Sequence, residues 1–124
     1  MKKDIIIPEP KGVKLAIVPQ DENAWDLYLI NENQHSIRNI LVVTNAYNEA
    51  KVSSTLRYFL ESMSEVAFIK FETVLGDVIE LENVITMTYY VGMDIYEKEF
   101  RFSKLTLQEK TLIPILNVEG YIVD

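Results

Sequence analysis

Apolar and polar positions alternate along most of this chain with a period of two. That is the spacing of extended strands, whose successive side chains point to opposite faces. The clearest run covers residues 25–47, WDLYLINENQHSIRNILVVTNAY. Trp25, Leu27 and Leu29 alternate there with Asp26, Tyr28 and Ile30, and Asn31, Glu32, Asn33, Gln34, His35 and Ser36 form a polar turn. Residues 37–47 then return, with β-branched Ile40, Val42, Val43 and Thr44 favouring extended backbone. These two strands read as an organising pair that the rest of the chain covers.

The flanking segments follow the same rhythm. Residues 1–12 hold Pro8, Pro10 and Gly12 and predict an arm rather than a helix, with Ile5, Ile6 and Ile7 expected to dock as an edge strand. Residues 13–19 alternate through Val13, Leu15 and Ile17 as a first strand. Residues 53–66, SSTLRYFLESMSEV, fit two templates. Leu56, Phe59, Leu60 and Met63 make a helical stripe capped by Ser53 or Ser54, whereas Leu56, Tyr58 and Leu60 make a strand. Periodicity does not separate the two, and the β surroundings favour the strand.

Residues 67–74 set Ala67, Ile69 and Phe71 against Lys70 and Glu72. Gly76 and Asp77 predict a turn, and residues 78–81 a short extended piece. Residues 84–91 and 95–102 form a hairpin through Gly92, Met93 and Asp94. Its second strand puts Tyr96, Lys98, Phe100 and Phe102 on one face and Glu97, Glu99 and Arg101 on a solvated one. Thr106, Leu107, Gln108 and Glu109 have capping-box spacing and predict one helical turn, stopped by Pro114. Residues 113–116 and 121–123, hinged at Gly120, predict short extended pieces.

About seven short strands, with polar turns roughly every 8 to 12 residues and at most one short helix, predict an all-β antiparallel sandwich. The chain of 124 residues suits one domain, with residues 1–12 as an arm and residues 104–124 as a tail packing on the sandwich. The strand ending in Asn31, the polar turn, and Ile37-x-Asn39-Ile40-x-Val42 resemble the strand pair of immunoglobulin-like bacterial adhesion and sorting modules. Ser54, Thr55 and Leu56, followed by a turn and residues 68–73, resemble the next part of such modules. The chain lacks their glycine in the first turn and their Pro-Gly before the later strand. Trp25, the run Tyr28-Leu29-Ile30-Asn31, and Leu56-Arg57-Tyr58-Phe59 are also similar to segments of a group of small uncharacterised bacterial proteins, a likeness that implies no activity. The resemblances make the expected sandwich immunoglobulin-like.

Composition narrows the partners. A net charge of −7 leaves no Lys and Arg cluster to neutralise nucleic-acid phosphates or an anionic membrane. Lys2, Lys3, Lys11 and Lys14 are interleaved with Asp4 and Glu9. Without cysteine there are no disulfides, thiolate metal sites or Cys nucleophile. The apolar run after Lys3 is too short for a signal peptide and no stretch reaches membrane-span length, so a cytoplasmic protein is expected.

No catalytic constellation emerges. His35 is the single histidine and sits in a polar turn. No serine occupies a nucleophile elbow, and no glycine-rich phosphate cradle occurs. Asp21, Glu22, Asn23 and Asp26 lack the spacing of a calcium loop. Glu80 with Glu82, and Glu97 with Glu99, read as solvated pairs rather than acid–base machinery. No cofactor or metal is expected.

What stands out is apolarity on both faces of residues 25–47, where a sandwich strand needs only one buried face. Either the arm at Ile5, Ile6 and Ile7 or the tail at residues 112–116 covers the second face, or it binds another protein. The expectation is a non-catalytic protein-interaction or self-association module, with Tyr28, Ile30, Leu41 and Val43 as contact residues and a protein partner or a second copy as occupant. An edge strand near the arm offers a further docking mode by adding to a partner's sheet. The competing expectation is a small-molecule binder or enzyme with a pocket lined by Tyr58, Phe59, Tyr89, Tyr90 and Tyr96.

Overall fold

Hydrophobic alternation of this kind is satisfied when two sheets bury one face each, and the computed structural model shows two. It describes residues 11–21, 23–50, 52, 55–107 and 109–124. The described residues form nine strands and one short helix: β1 (Val13–Asp21), β2 (Ala24–Asn31), β3 (Ile37–Tyr47), β4 (Leu56–Met63), β5 (Ala67–Leu75), α1 (Gly76–Ile79), β6 (Glu82–Val91), β7 (Asp94–Phe102), β8 (Thr111–Ile113) and β9 (Val118–Val123). The first sheet has the order β5-β2-β1-β9-β8 and the second β4-β3-β6-β7, with antiparallel pairing throughout. Residues 56–63 are thus a strand, and the strand count exceeds the expected seven by the two that the C-terminal segment supplies. The expected N-terminal arm, including Ile5, Ile6 and Ile7, lies almost wholly outside the described residues.

One correction changes the picture most. β2 and β3 do not pair with each other: β2 lies between β1 and β5, and β3 between β4 and β6. The turn at residues 32–36 carries the chain from one sheet across to the other. Asn31, fully buried, fixes this crossing. Its amide Nδ2 donates to His35 O at 3.0 Å and to Ser64 O at 2.9 Å. Its Oδ1 accepts from Asn33 N at 3.1 Å and Asn33 Nδ2 at 3.0 Å. One side chain therefore ties the β2–β3 crossing to the β4–β5 turn. Gly12 completes this end of the sandwich at φ 74°, where an added Cβ would meet the Asn33 side chain at 2.3 Å.

The core lies between the inner faces, with Leu15, Ile17, Leu27 and Leu29 of the first sheet facing Ile40, Val42, Ile85, Met87 and Phe100 of the second. A second, smaller cluster lies on the outer face of the first sheet. There Ile113 packs on Ala16 and Ile30, flanked by Val18, Tyr28, Ile115 and Leu116. The C-terminal segment covers this face and also extends the sheet, since β9 pairs with β1 and β8 with β9. Gly120 sits inside β9 rather than at a hinge. A Cβ there would come within 2.7 Å of Ile17 O and 3.0 Å of Ile113 Cδ1, so glycine lets the segment lie flat.

One further expectation is corrected. The piece at residues 78–81 begins in α1 rather than extended, because Ile79 buries fully and Asn83 Nδ2 ties off Val78 O and Leu81 O, each at 3.0 Å. Where the capping-box segment begins, residues 104–106 form a turn, in which Thr106 Oγ1 accepts from Ser103 N at 2.8 Å and donates to Ser103 O at 3.0 Å; Gln108 lies outside the described residues.

Candidate protein-interaction site

The four residues expected to form one contact surface separate onto the outer faces of two opposed sheets. Ile30 is 1% exposed beneath Ile113. Tyr28 is half-buried with its ring edge-on to Phe68, centroids 6.0 Å apart. Leu41, 39% exposed, and the half-buried Val43 lie on the far side of the molecule. The period-two pattern identified outward positions correctly but not the sheet each strand joins.

Around Leu41 and Val43 a continuous surface does form. Cross-strand register places Phe59, Leu41, Thr88 and Glu97 in one row and Arg57, Val43, Thr86 and Glu99 in the next. Phe59, Leu41 and Val43 are its apolar part, with Arg57 beside them on β4 and Glu97 and Glu99 on β7. Phe59 is 63% exposed.

β4 is an edge strand, and its edge differs from the other three. β7 carries Lys98 on its inward-facing side, over the Phe100 ring at 5.7 Å. β5 is broken by a register shift where Leu27 pairs Glu72 and Tyr28 pairs Lys70. β8 has three residues and runs into Pro114. Inward charges, bulges, prolines and shortness are the devices by which edges resist pairing. β4 has eight residues, no proline and no register shift against β3; Glu61 alone of the eight is unpaired, opposite Asn39 at φ 51°, and Leu60 and Met63 both face the core. The sequence reading of this strand rested on its Leu56, Tyr58 and Leu60 face, assigned Phe59 to an aromatic pocket, and gave Arg57 and Glu61 no contact role.

The shift in β5 leaves Phe71 as the extra residue and turns Glu72 inward, against the expectation that it shares the outer face of Lys70. Tyr58 OH donates to Glu72 Oε1 at 3.2 Å, and Thr44 also hydrogen-bonds this carboxylate. Burial pushes the Glu72 carboxyl above its ordinary range despite both bonds. Burial, and then the Glu72 charge, push the Tyr58 hydroxyl up to about 12. The space beside Glu72, lined also by Asn45, Leu56 and Asn83, is about 150 Å³. That is below the several hundred Å³ typical of small-molecule sites.

The expected aromatic pocket does not assemble. Tyr58, Tyr89 and Tyr96 face the core, Tyr89 and Tyr96 stacked at 5.3 Å, whereas Phe59 and Tyr90 face outward, Tyr90 beneath the Arg38 guanidinium. A larger cavity of about 540 Å³ opens between β7 and β9, lined by Arg101, Thr106, Leu107 and Tyr121 among others.

The remaining candidates have ordinary partners. His35 is exposed, with its ring Nδ1 3.4 Å from Ser36 O. Asp26 is buried, accepting from Thr73 Oγ1 at 2.8 Å with Lys70 Nζ at 3.6 Å. Asp21 Oδ1 accepts from Asn23 N at 2.8 Å. Glu80 pairs with Lys104, and Glu82 and Glu99 with Arg101. Among the described residues no three His, Asp or Glu side chains converge as a metal site, and no helix is long and apolar enough to cross a membrane.

No protein-family model, curated protein or solved structure matches the chain.

Proposed function

We propose that the protein is an immunoglobulin-like sandwich that acts without catalysis, as a protein-interaction module whose contact surface is β4 and the adjoining outer face of the second sheet. The strand order supports the immunoglobulin-like reading. β1, β2 and β5 take the places of strands A, B and E, β3, β6 and β7 those of C, F and G, and β4 that of C′ beside C. β9 and β8 then extend the first sheet beyond strand A. A cytoplasmic setting fits the cysteine-free sequence.

The observation that carries the functional reading is the contrast between edges: among the described residues the eight-residue β4 edge has no strand beside it and carries no register shift, where the other edges carry obstacles. Contacts would run through Phe59, Leu41 and Val43; Tyr28 and Ile30 belong to the face that the C-terminal segment covers.

The test compares the wild-type chain with a Phe59→Lys, Leu41→Glu variant. These two positions face each other across β4 and β3, so the new charges are paired and the sheet keeps a favourable neighbour contact. The wild type is expected to self-associate in light scattering or to retain a specific protein from native lysate. The variant should do neither and should melt at a similar temperature. Identical behaviour of the two chains would overturn the reading.

A further inference from the structure

We propose that the partner of the β4 edge is a second copy of this chain, joined as an antiparallel β4–β4 pair on a two-fold axis through Phe59. This rests on the interaction reading above and specifies its partner and register.

A two-fold dimer buries the same patch on both subunits, so the patch must complement itself. β4 does so at one register. With Phe59 opposite Phe59 of the second copy, Arg57 lies opposite Glu61 and Glu61 opposite Arg57. Directly opposed side chains share a face, so two ion pairs flank a ring pair on the outer surface. On the inner surface Tyr58 meets Leu60, and the half-buried apolar row of one subunit continues into the other. Moving the axis by one residue in either direction opposes neither pair of opposite charges. Arg57 and Glu61 are both exposed, and neither is in an ion pair among the described residues.

The backbone is suited to the same arrangement. β4 pairs continuously with β3 from Leu56 to Leu60, on both sides of Phe59, so the second sheet would continue across the axis as eight strands. The first sheet would not continue beside it, because the shift at Phe71 breaks the edge of β5. The interface is one ladder with its two side-chain rows. It is small beside obligate dimers, and the association should therefore depend on concentration.

Charge reversal tests the register. Full-length wild type is expected to move on concentration from 14.4 kDa to about twice that mass in light scattering. Arg57→Glu opposes two carboxylates at each pair, and Glu61→Arg opposes two guanidinium groups. Each single variant should stay monomeric at concentrations where the wild type dimerises, with an unchanged circular dichroism spectrum. An equimolar mixture of the two single variants restores both opposite-charge pairs and should form dimers, as should the double variant alone. A wild type that stays monomeric at high concentration overturns the proposal, as do single variants that dimerise like wild type or a mixture that stays monomeric. The broader reading is judged separately. It survives such a failure if Phe59→Lys, Leu41→Glu still abolishes binding of another protein, and falls if that variant changes nothing.

Discussion

The Tyr58 hydroxyl donates to the Glu72 carboxylate across 3.2 Å, and in doing so joins the edge strand of one sheet to the edge strand of the other. The same two strands are held by the Tyr58 and Phe71 rings, edge-on at 5.7 Å. This contact closes one side of the sandwich directly behind the proposed interface. Tyr58→Phe keeps the ring contact and removes the donor, and a hydrogen bond to a charged group is worth about 1.5–3 kcal/mol. A loss of that order at neutral pH, read from urea unfolding, is expected.

Glu72 also makes stability depend on pH. Its carboxyl is raised in the folded chain, first by burial, so the folded state keeps this proton where the unfolded state has lost it. Stability from this group is therefore fully present below the ordinary glutamate range and falls as pH rises through the raised value. Tyr58, raised to about 12, adds a second loss above the ordinary tyrosine value of about 10. Glu72→Gln has no proton to lose. It should flatten the acid-to-neutral slope and be more stable than wild type at neutral pH; equal slopes in urea midpoints would contradict this.

Asn31 makes four hydrogen bonds from a site with no exposure. Asn31→Ala leaves the His35 and Ser64 carbonyls and the Asn33 amide short of a partner. Each such group costs about 1–3 kcal/mol when it stays buried, so the total should be roughly 3 kcal/mol. Hydrogen exchange should quicken in the β4–β5 turn as well as in the β2–β3 crossing, because one side chain serves both.

Val66 holds φ at 46°, a left-handed conformation that a β-branched side chain adopts only under strain, and it is exposed. Its amide donates to Asn33 O at 3.1 Å, which keeps the turn in this shape. Val66→Asn suits that backbone and should raise stability by about 1 kcal/mol, seen as a higher melting temperature.

Gly120→Val would push a side chain into Ile17 O and Ile113. The strand must move, and Ile113 must leave Ala16 and Ile30. A cost of about 1–3 kcal/mol is expected, with new binding of a hydrophobic dye as the outer face opens.

Strand character along most of this chain was legible from alternation alone, as in residues 13–19, 84–91 and 95–102. The inward set Tyr96, Phe100 and Phe102 was read correctly because period two assigns faces without knowledge of partners. So was the need to cover Tyr28 and Ile30, since an apolar outer face has to meet something. The tail at residues 112–116 was one of two expected covers, and that Ile113, Ile115 and Leu116 lie there depended on the tertiary structure. So did the division of β2 and β3 between two sheets, because pairing joins residues far apart in sequence and a polar turn serves a hairpin and a crossing alike. The inward turn of Glu72 was hidden for a related reason. One extra residue in β5 reverses the alternation beyond it, and a bulge leaves no mark in a hydrophobic pattern. Arg57, Phe59 and Glu61 were in plain view, yet only the fold showed that their strand lies at the end of its sheet.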